Sequence, residues 1–174
     1  MTVQIDDAGW GSLVGPTFIG AYRPETGEFI YDVVPLRFFK GELFRRQEYL
    51  RETTCVVQKL LGALRSDPDE PVEICTGTIF NEAARKLHHP LRRTKIEGPL
   101  QEAIEEVARD YLRGLGVRVD GLEPGANHFM ACLDWVSEDF PRRESYVKTG
   151  WKSWPRKWRQ VAKRRWQRKF EVGS

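Results

Sequence analysis

Residues 5–16 read IDDAGWGSLVGP. Two acids, Asp6 and Asp7, close a short alternating stretch (TVQID, 2–6). Gly9, Gly11 and Gly15 follow, and a second apolar stretch begins among them. Successive strand residues point to opposite faces, so adjacent acids on a regular strand cannot aim at one point. At a strand end, where glycines release the backbone, they can. A further acid, Asp120, sits in the apolar run VRVDGL (117–122). If that run and the first strand are neighbours, Asp6 and Asp120 share one end of a sheet. Carboxylates crowded there repel each other unless a cation intervenes. Hard oxygen ligands of this kind suit Mg²⁺ or Mn²⁺. Two such ions about 4 Å apart activate a water and steady the leaving oxygen in phosphodiester cleavage. Taken singly, the same acids are ordinary turn formers, and Asp120-Gly121 is an ordinary Asp-Gly turn.

Outward from this stretch, residues 2–6, 14–22 and 29–39 carry strand patterning, with a turn at RPETGEF (23–29). They predict a three-stranded antiparallel meander. From about residue 40 to 65 the apolar spacing turns helical, with Leu43, Leu50, Val57, Leu60, Leu61 and Leu64 on one face. Residues 72–76 predict a fourth strand and 78–88 a short helix. HHPLRRTKIEGP (88–99) reads as a basic loop. Residues 100–115 predict an amphipathic helix closed by Gly114 and Gly116. Residues 117–122 predict a fifth strand and 126–136 a helix. A last helix starts near Ser153, a plausible N-cap, with Pro155 in its first turn. The expected fold is α/β: a mixed five-stranded sheet, three strands antiparallel and then parallel ones, flanked by helices. Residues 1–152 form the expected main domain. Residues 153–174 form a basic, Trp-rich C-terminal helix that belongs to it or packs on it.

Composition narrows the functional classes. The chain has 174 residues, of which 40% are hydrophobic and 30% charged, which fits a globular domain. No run nears the roughly 18 apolar residues of a membrane helix, and acids arrive too early for a signal peptide. Three widely spaced cysteines, Cys55, Cys75 and Cys132, fit a reducing cytoplasm and read as small core residues. The net charge of +3 hides an asymmetry. From Arg142 to Lys169 there are twelve Lys or Arg and one acid, Glu144. A basic tail on an otherwise acidic domain points to a polyanionic partner, with nucleic acid favoured over a membrane.

The opening stretch resembles that of type 2 ribonucleases H, which reads I-D-E-A-G-R-G-x-L-x-G-P. Nine of ten fixed positions match if Asp7 is allowed for the glutamate, and Trp10 replaces the family's arginine. LRFFKGELFRRQEYL (36–50) is similar to the family's Asp-Ser-Lys segment and keeps Lys40. VRVDG (117–121) is similar to the strand bearing its third acid. VKTGWKSW (147–154) is similar to a Gly-Trp-Lys-Thr stretch of archaeal members. The resemblance implies a ribonuclease H-like fold and Mg²⁺- or Mn²⁺-dependent cleavage of nucleic acid, with RNA in RNA–DNA hybrids as the family substrate. It implies that Asp6, Asp7 and Asp120 hold the metals, that the backbone at Gly9, Trp10 and Gly11 faces the ribose 2′-hydroxyl, and that Lys40 touches a phosphate.

The family's fourth acid opens a helix in an Ala-Asp context, where this chain has Ala126-Asn127. Asp134 is the candidate substitute, and Asn127 or His128 could serve as a neutral ligand. Glu73 is the candidate under a second resemblance, to Holliday-junction resolvases of the RuvC kind. In the tail, Trp154, Trp158, Val161, Ala162, Trp166 and Phe170 fall at helical spacing, ready to dock on the domain. Lys148, Lys152, Arg156 and Arg159 are candidate phosphate contacts. A reading of another class is a nucleic-acid-binding module with a degenerate site.

Overall fold

Val3 and Ile5 are fully buried while Gln4 between them is partly exposed, the period-2 pattern of a strand with one face on the core. In the computed structural model, which describes residues 1–171, this strand is β1 (Val3–Ala8). β2 (Thr17–Arg23) and β3 (Glu28–Val34) complete the antiparallel meander. β4 (Val72–Cys75) pairs parallel to β1, and β5 (Leu91–Thr94) parallel to β4. The sheet order is β3-β2-β1-β4-β5, so β1 lies at the centre. The expected mixed sheet is present.

Two strand assignments change. The third strand stops at Val34, and Leu36–Phe39 forms a 3-10 turn instead. The fifth strand is Leu91–Thr94, inside the expected basic loop, and residues 117–122 are not a strand. Gly116, at φ 89°, ends the preceding helix in a Schellman arrangement. The Gly116 and Val117 amides donate to Arg113 and Leu112, and the Leu122 amide donates to Val119. The run is therefore bonded locally. Val117 and Val119 are buried, but against helices rather than in the sheet.

Helices cover both faces of the sheet. One side holds α1 (Gly41–Arg45), α2 (Glu48–Ala63) and α3 (Asn81–Lys86). The expected single helix over 40–65 is thus broken in two, at Gln47, which sits in the left-handed region with φ 57°. Val56, Val57, Leu60 and Leu61 of α2 join Val3, Ile5, Ile19 and Ile74 in the main core. On the other face α4 (Pro99–Leu115) crosses β1 and β2 so closely that a Cβ at Gly20 would sit 2.9 Å from Leu100.

A second cluster gathers Leu13 and Val14, the end of α4, α5 (Ala126–Glu138) and the C-terminal segment. After α6 (Phe140–Arg143), Trp154–Trp158 forms a π-turn and α7 (Arg159–Glu171) packs on α5. Trp154 and Ala162 are buried here and Trp158, Val161 and Trp166 partly so, whereas Phe170 is exposed. Ser153 makes no side-chain capping bond. The last part of the expected C-terminal segment, 172–174, lies outside the described residues. Among the described residues no helix is long and apolar enough to cross a membrane.

Gly15 tests the packing of the loop after β1. It has φ 84°, and a Cβ there would lie 2.4 Å from the Tyr111 ring. Gly15→Ala should cost about 1–3 kcal/mol from combined backbone strain and steric clash. Urea unfolding measures this, and an unchanged midpoint would contradict the packing described.

Candidate metal centre

Asp6 and Asp7 lie in the last half of β1, Asp6 buried and Asp7 partly exposed. They need not aim at one point through the regular pleat. The Asp6 carboxylate instead accepts the Asp7 backbone N–H at 2.9 Å. Each contributes an oxygen within 4.8 Å of the other and of the Cys75 sulfur. Cys75 arrives through the parallel β1–β4 register, in which Ile5 faces Ile74. The next residues along are Asp6 and Cys75. Arg93 of β5 donates to the carbonyls of Cys75 (3.0 Å) and Gly77 (2.9 Å), fixing the end of β4.

The group is electrostatically crowded. Burial pushes the Asp7 carboxyl up to about 7, the Asp6 charge pushes the same way, and Lys148 opposes them. Asp6 is also raised, chiefly by burial, with hydrogen bonds from Cys75 and the Asp7 amide opposing and Glu105 of α4 adding to the rise. Burial pushes the Cys75 thiol up to about 11, helped by Asp6 and Asp7.

The glycine loop is held from below by Lys148. Its ammonium is fully buried and donates to the carbonyls of Gly9 and Ser12, both at 2.8 Å, and more weakly to Val14 at 3.5 Å. Burial pushes this lysine down to about 7. Lys148 is therefore an internal brace of the loop, whereas a phosphate contact must be exposed. The segment around it runs beside the loop: Val14 bridges Val147, the Lys148 amide donates to Leu13, and the Gly15 amide donates to Tyr146.

Trp10 packs in an aromatic cluster, stacked on Tyr49 (centroids 5.2 Å) with Phe39 at 5.6 Å and Trp151 edge-on at 6.1 Å. Lys40, half-buried at the edge of this cluster, donates to the Ser145 carbonyl. A cavity of about 290 Å³ opens beside Asp7, lined by Gly9, Trp10, Gly11, Glu105, Tyr111 and His128 among others.

The remaining candidates lie elsewhere. Asp120 is exposed and bonded to Arg113 at 2.7 Å, as follows from the loss of the expected strand at 117–122. Asp134 is exposed on α5 and paired with Arg165 at 2.7 Å. Neither belongs to the Asp6–Asp7–Cys75 group. Glu73 accepts from Gln4 at 3.0 Å and from Arg92. His128 lines the cavity with its Nε2 on the Leu122 carbonyl, and Asn127 lines a separate one. Lys152 and Arg156 are exposed. Arg159 pairs with Glu144 and lies over the Phe140 ring.

Cys75 and Glu105 are the residues that the structure adds. Cys75 is half-buried beside two acids and Cys55 is exposed, so only Cys132 matches the expectation of core cysteines. The clue in the sequence is position: Cys75 lies near the end of the expected fourth strand, just before Gly77, but nothing in the sequence sets that strand beside β1.

The crowding has a pH signature. Asp7 binds its proton more tightly folded than unfolded, so between about pH 4 and 7 the folded state holds more protons. The Asp7 contribution to stability without metal therefore falls as pH rises through that window and stays unfavourable above it. Asp7→Asn should stabilise the metal-free protein at pH 8 by on the order of 1–2 kcal/mol after allowance for partial exposure, with the gain vanishing near pH 3.5. Thermal unfolding in EDTA tests this, and an equal or lower midpoint at pH 8 would contradict it.

No protein-family model matches the chain, and no curated protein does. Among solved structures it is similar to Bst-RNase HIII, with TM-scores of 0.56 for a mutant protein and 0.52 for the complex with Mn²⁺. Each is 14% identical over 94% of this chain and 70% of that one. It is also similar to ribonuclease H2 from Pyrococcus horikoshii OT3, with a TM-score of 0.52 and 13% identity over 94% of this chain and 98% of that one. With its five strands in the order β3-β2-β1-β4-β5, the chain has the ribonuclease H-like fold.

Proposed function

We propose that the chain is a metal-dependent endonuclease of the ribonuclease H-like superfamily, akin to type 2 ribonucleases H, cutting RNA in RNA–DNA hybrids. The observation that carries this is the meeting of Asp6 and Asp7 with a third donor at the end of the central strand, on a fold shared with ribonucleases. The donor set fits a divalent ion: two carboxylates and a thiol converge within 4.8 Å, and among the described residues the cation that opposes their repulsion is Lys148, which is committed to carbonyls. Bound Mg²⁺ or Mn²⁺, two ions in the reading favoured here, would supply water activation and neutralise charge on the leaving oxygen.

The chain's own residues do the rest. Asp6 and Asp7 hold the reactive position. Gly9 and Gly11 carry no side chains, so a nucleic-acid backbone can approach the loop braced by Lys148. Lys152, Arg156, Lys163 and Arg164, all exposed, offer a basic surface for phosphates. Lys40 lies at the loop's edge as a further contact. A reducing cytoplasm would keep the site thiol free.

A binding module with a degenerate site remains the second reading, favoured by Asp120 and Asp134 being held away by Arg113 and Arg165. For a resolvase, Glu73 would have to leave Gln4 and Arg92.

Asp6→Asn should reduce cleavage of a labelled RNA–DNA hybrid in Mg²⁺ or Mn²⁺ by about 10³-fold or more while hybrid binding persists. Equal cleavage by the variant would refute the site, and no cleavage by the wild type under any metal would favour the binding module. The basic surface is tested by charge reversal, because deleting the helix would strip buried Trp154 from the core. Arg156→Glu with Lys163→Glu should weaken hybrid binding about tenfold at low salt and flatten its salt dependence. Unchanged affinity would discard the surface.

A further inference from the structure

We propose that Cys75 is a ligand of the metal at the Asp6–Asp7 site, giving that site a preference for thiophilic divalent ions of the Zn²⁺ class over Mg²⁺. This deepens the metal reading of the same site and rests on metal binding there, not on cleavage. A ribonuclease-like centre built from oxygen alone suits Mg²⁺, whose ligands are carboxylates, carbonyls and water. The group observed is different: its third donor is sulfur. Thiolates select for Zn²⁺ and its softer relatives.

The placement of the sulfur is not incidental. The parallel register brings Cys75 alongside Asp6, and its sulfur lies within 4.8 Å of a carboxylate oxygen from each of Asp6 and Asp7. Arg93 holds the carbonyls on both sides of the turn that follows, so the end of β4 is pinned. Gly77 lies against Asp7: a Cβ there would stand 3.4 Å from Asp7 Oδ1. Cys75 is free, and the other two cysteines lie on the exposed face of α2 and inside the second cluster. Among the described residues no third acid or histidine joins the group. On binding, the ion takes the place of the thiol proton, which leaves to solvent, and its charge offsets the crowded carboxylates.

The test uses Co²⁺ as an optical probe on the full chain carrying Cys55→Ser, which removes the exposed thiol. Co²⁺ should produce a near-ultraviolet sulfur-to-cobalt charge-transfer band, and that band should be lost with Cys75→Ser. Cys75→Asp should also lose it and shift the ratio of Mg²⁺ to Cd²⁺ affinity at least tenfold toward Mg²⁺. Circular dichroism establishes that each variant is folded. Three results would overturn the proposal: a band that survives Cys75→Ser, Co²⁺ binding that depends on Asp6 but gives no band, or no metal binding at all. Hybrid cleavage measured in parallel separates the two claims. A Cys75-dependent band without cleavage by any metal would sink the nuclease reading alone. Mg²⁺-dependent cleavage with no band would sink the sulfur ligand alone.

Discussion

The ammonium of Lys148 gives its hydrogens to the carbonyls of Gly9, Ser12 and Val14, with no exposure to water. A buried charge is costly unless every donor finds a partner. Here the partners are successive turns of one loop, so the loop is bound to the lysine as tightly as the lysine is to the loop. That loop leaves the central strand directly after Asp7. Its fixed course sets where the strand end opens, where Trp10 stacks on Tyr49, and how Leu13 and Val14 enter the second core. The C-terminal segment carrying Lys148 is therefore part of the site's construction, although 139 residues separate it from Gly9.

Charge is distributed so that the site keeps what the surface gives up. Asp120, Asp134 and Glu73 each have an arginine partner. Among the described residues no arginine pairs with Asp6 or Asp7, which lie beside Cys75 at the end of β4, with the Glu105 charge adding to the crowding at Asp6. Exposed ion pairs contribute little to stability. Their consequence here is to commit the outlying acids, whereas Asp6 and Asp7 stay crowded at the end of the central strand. Such a cluster is poorly stable by itself and well suited to a divalent cation.

The legible parts of the sequence were those with an unambiguous period or a compact chemical signature. The first strands alternate, α2 and α4 show apolar stripes, and two acids followed by glycines mark a strand end. β5 reads LRRT, a charged edge strand with no apolar pattern, so nothing distinguishes it from a basic loop. VRVDGL alternates like a strand, but burial against helices produces the same alternation, and only the Schellman turn at Gly116 decides between them. Without that strand Asp120 stays on the surface, bonded to Arg113. The break at Gln47 has no proline or glycine to announce it. Lysines face water by default, so sequence offers no hint that Lys148 is internal. Cysteines are buried by default, and Cys75 enters the site only through the pairing of β4 with β1.

The central claim is that the end of β1 is a metal centre, and anomalous scattering from a crystal soaked in Mn²⁺ tests it most directly. The account predicts an anomalous peak within coordination distance of carboxylate oxygens from both Asp6 and Asp7. A crystal with an accessible β1 end and no peak there, or with ordered Mn²⁺ only at Asp120 or Asp134, would contradict it.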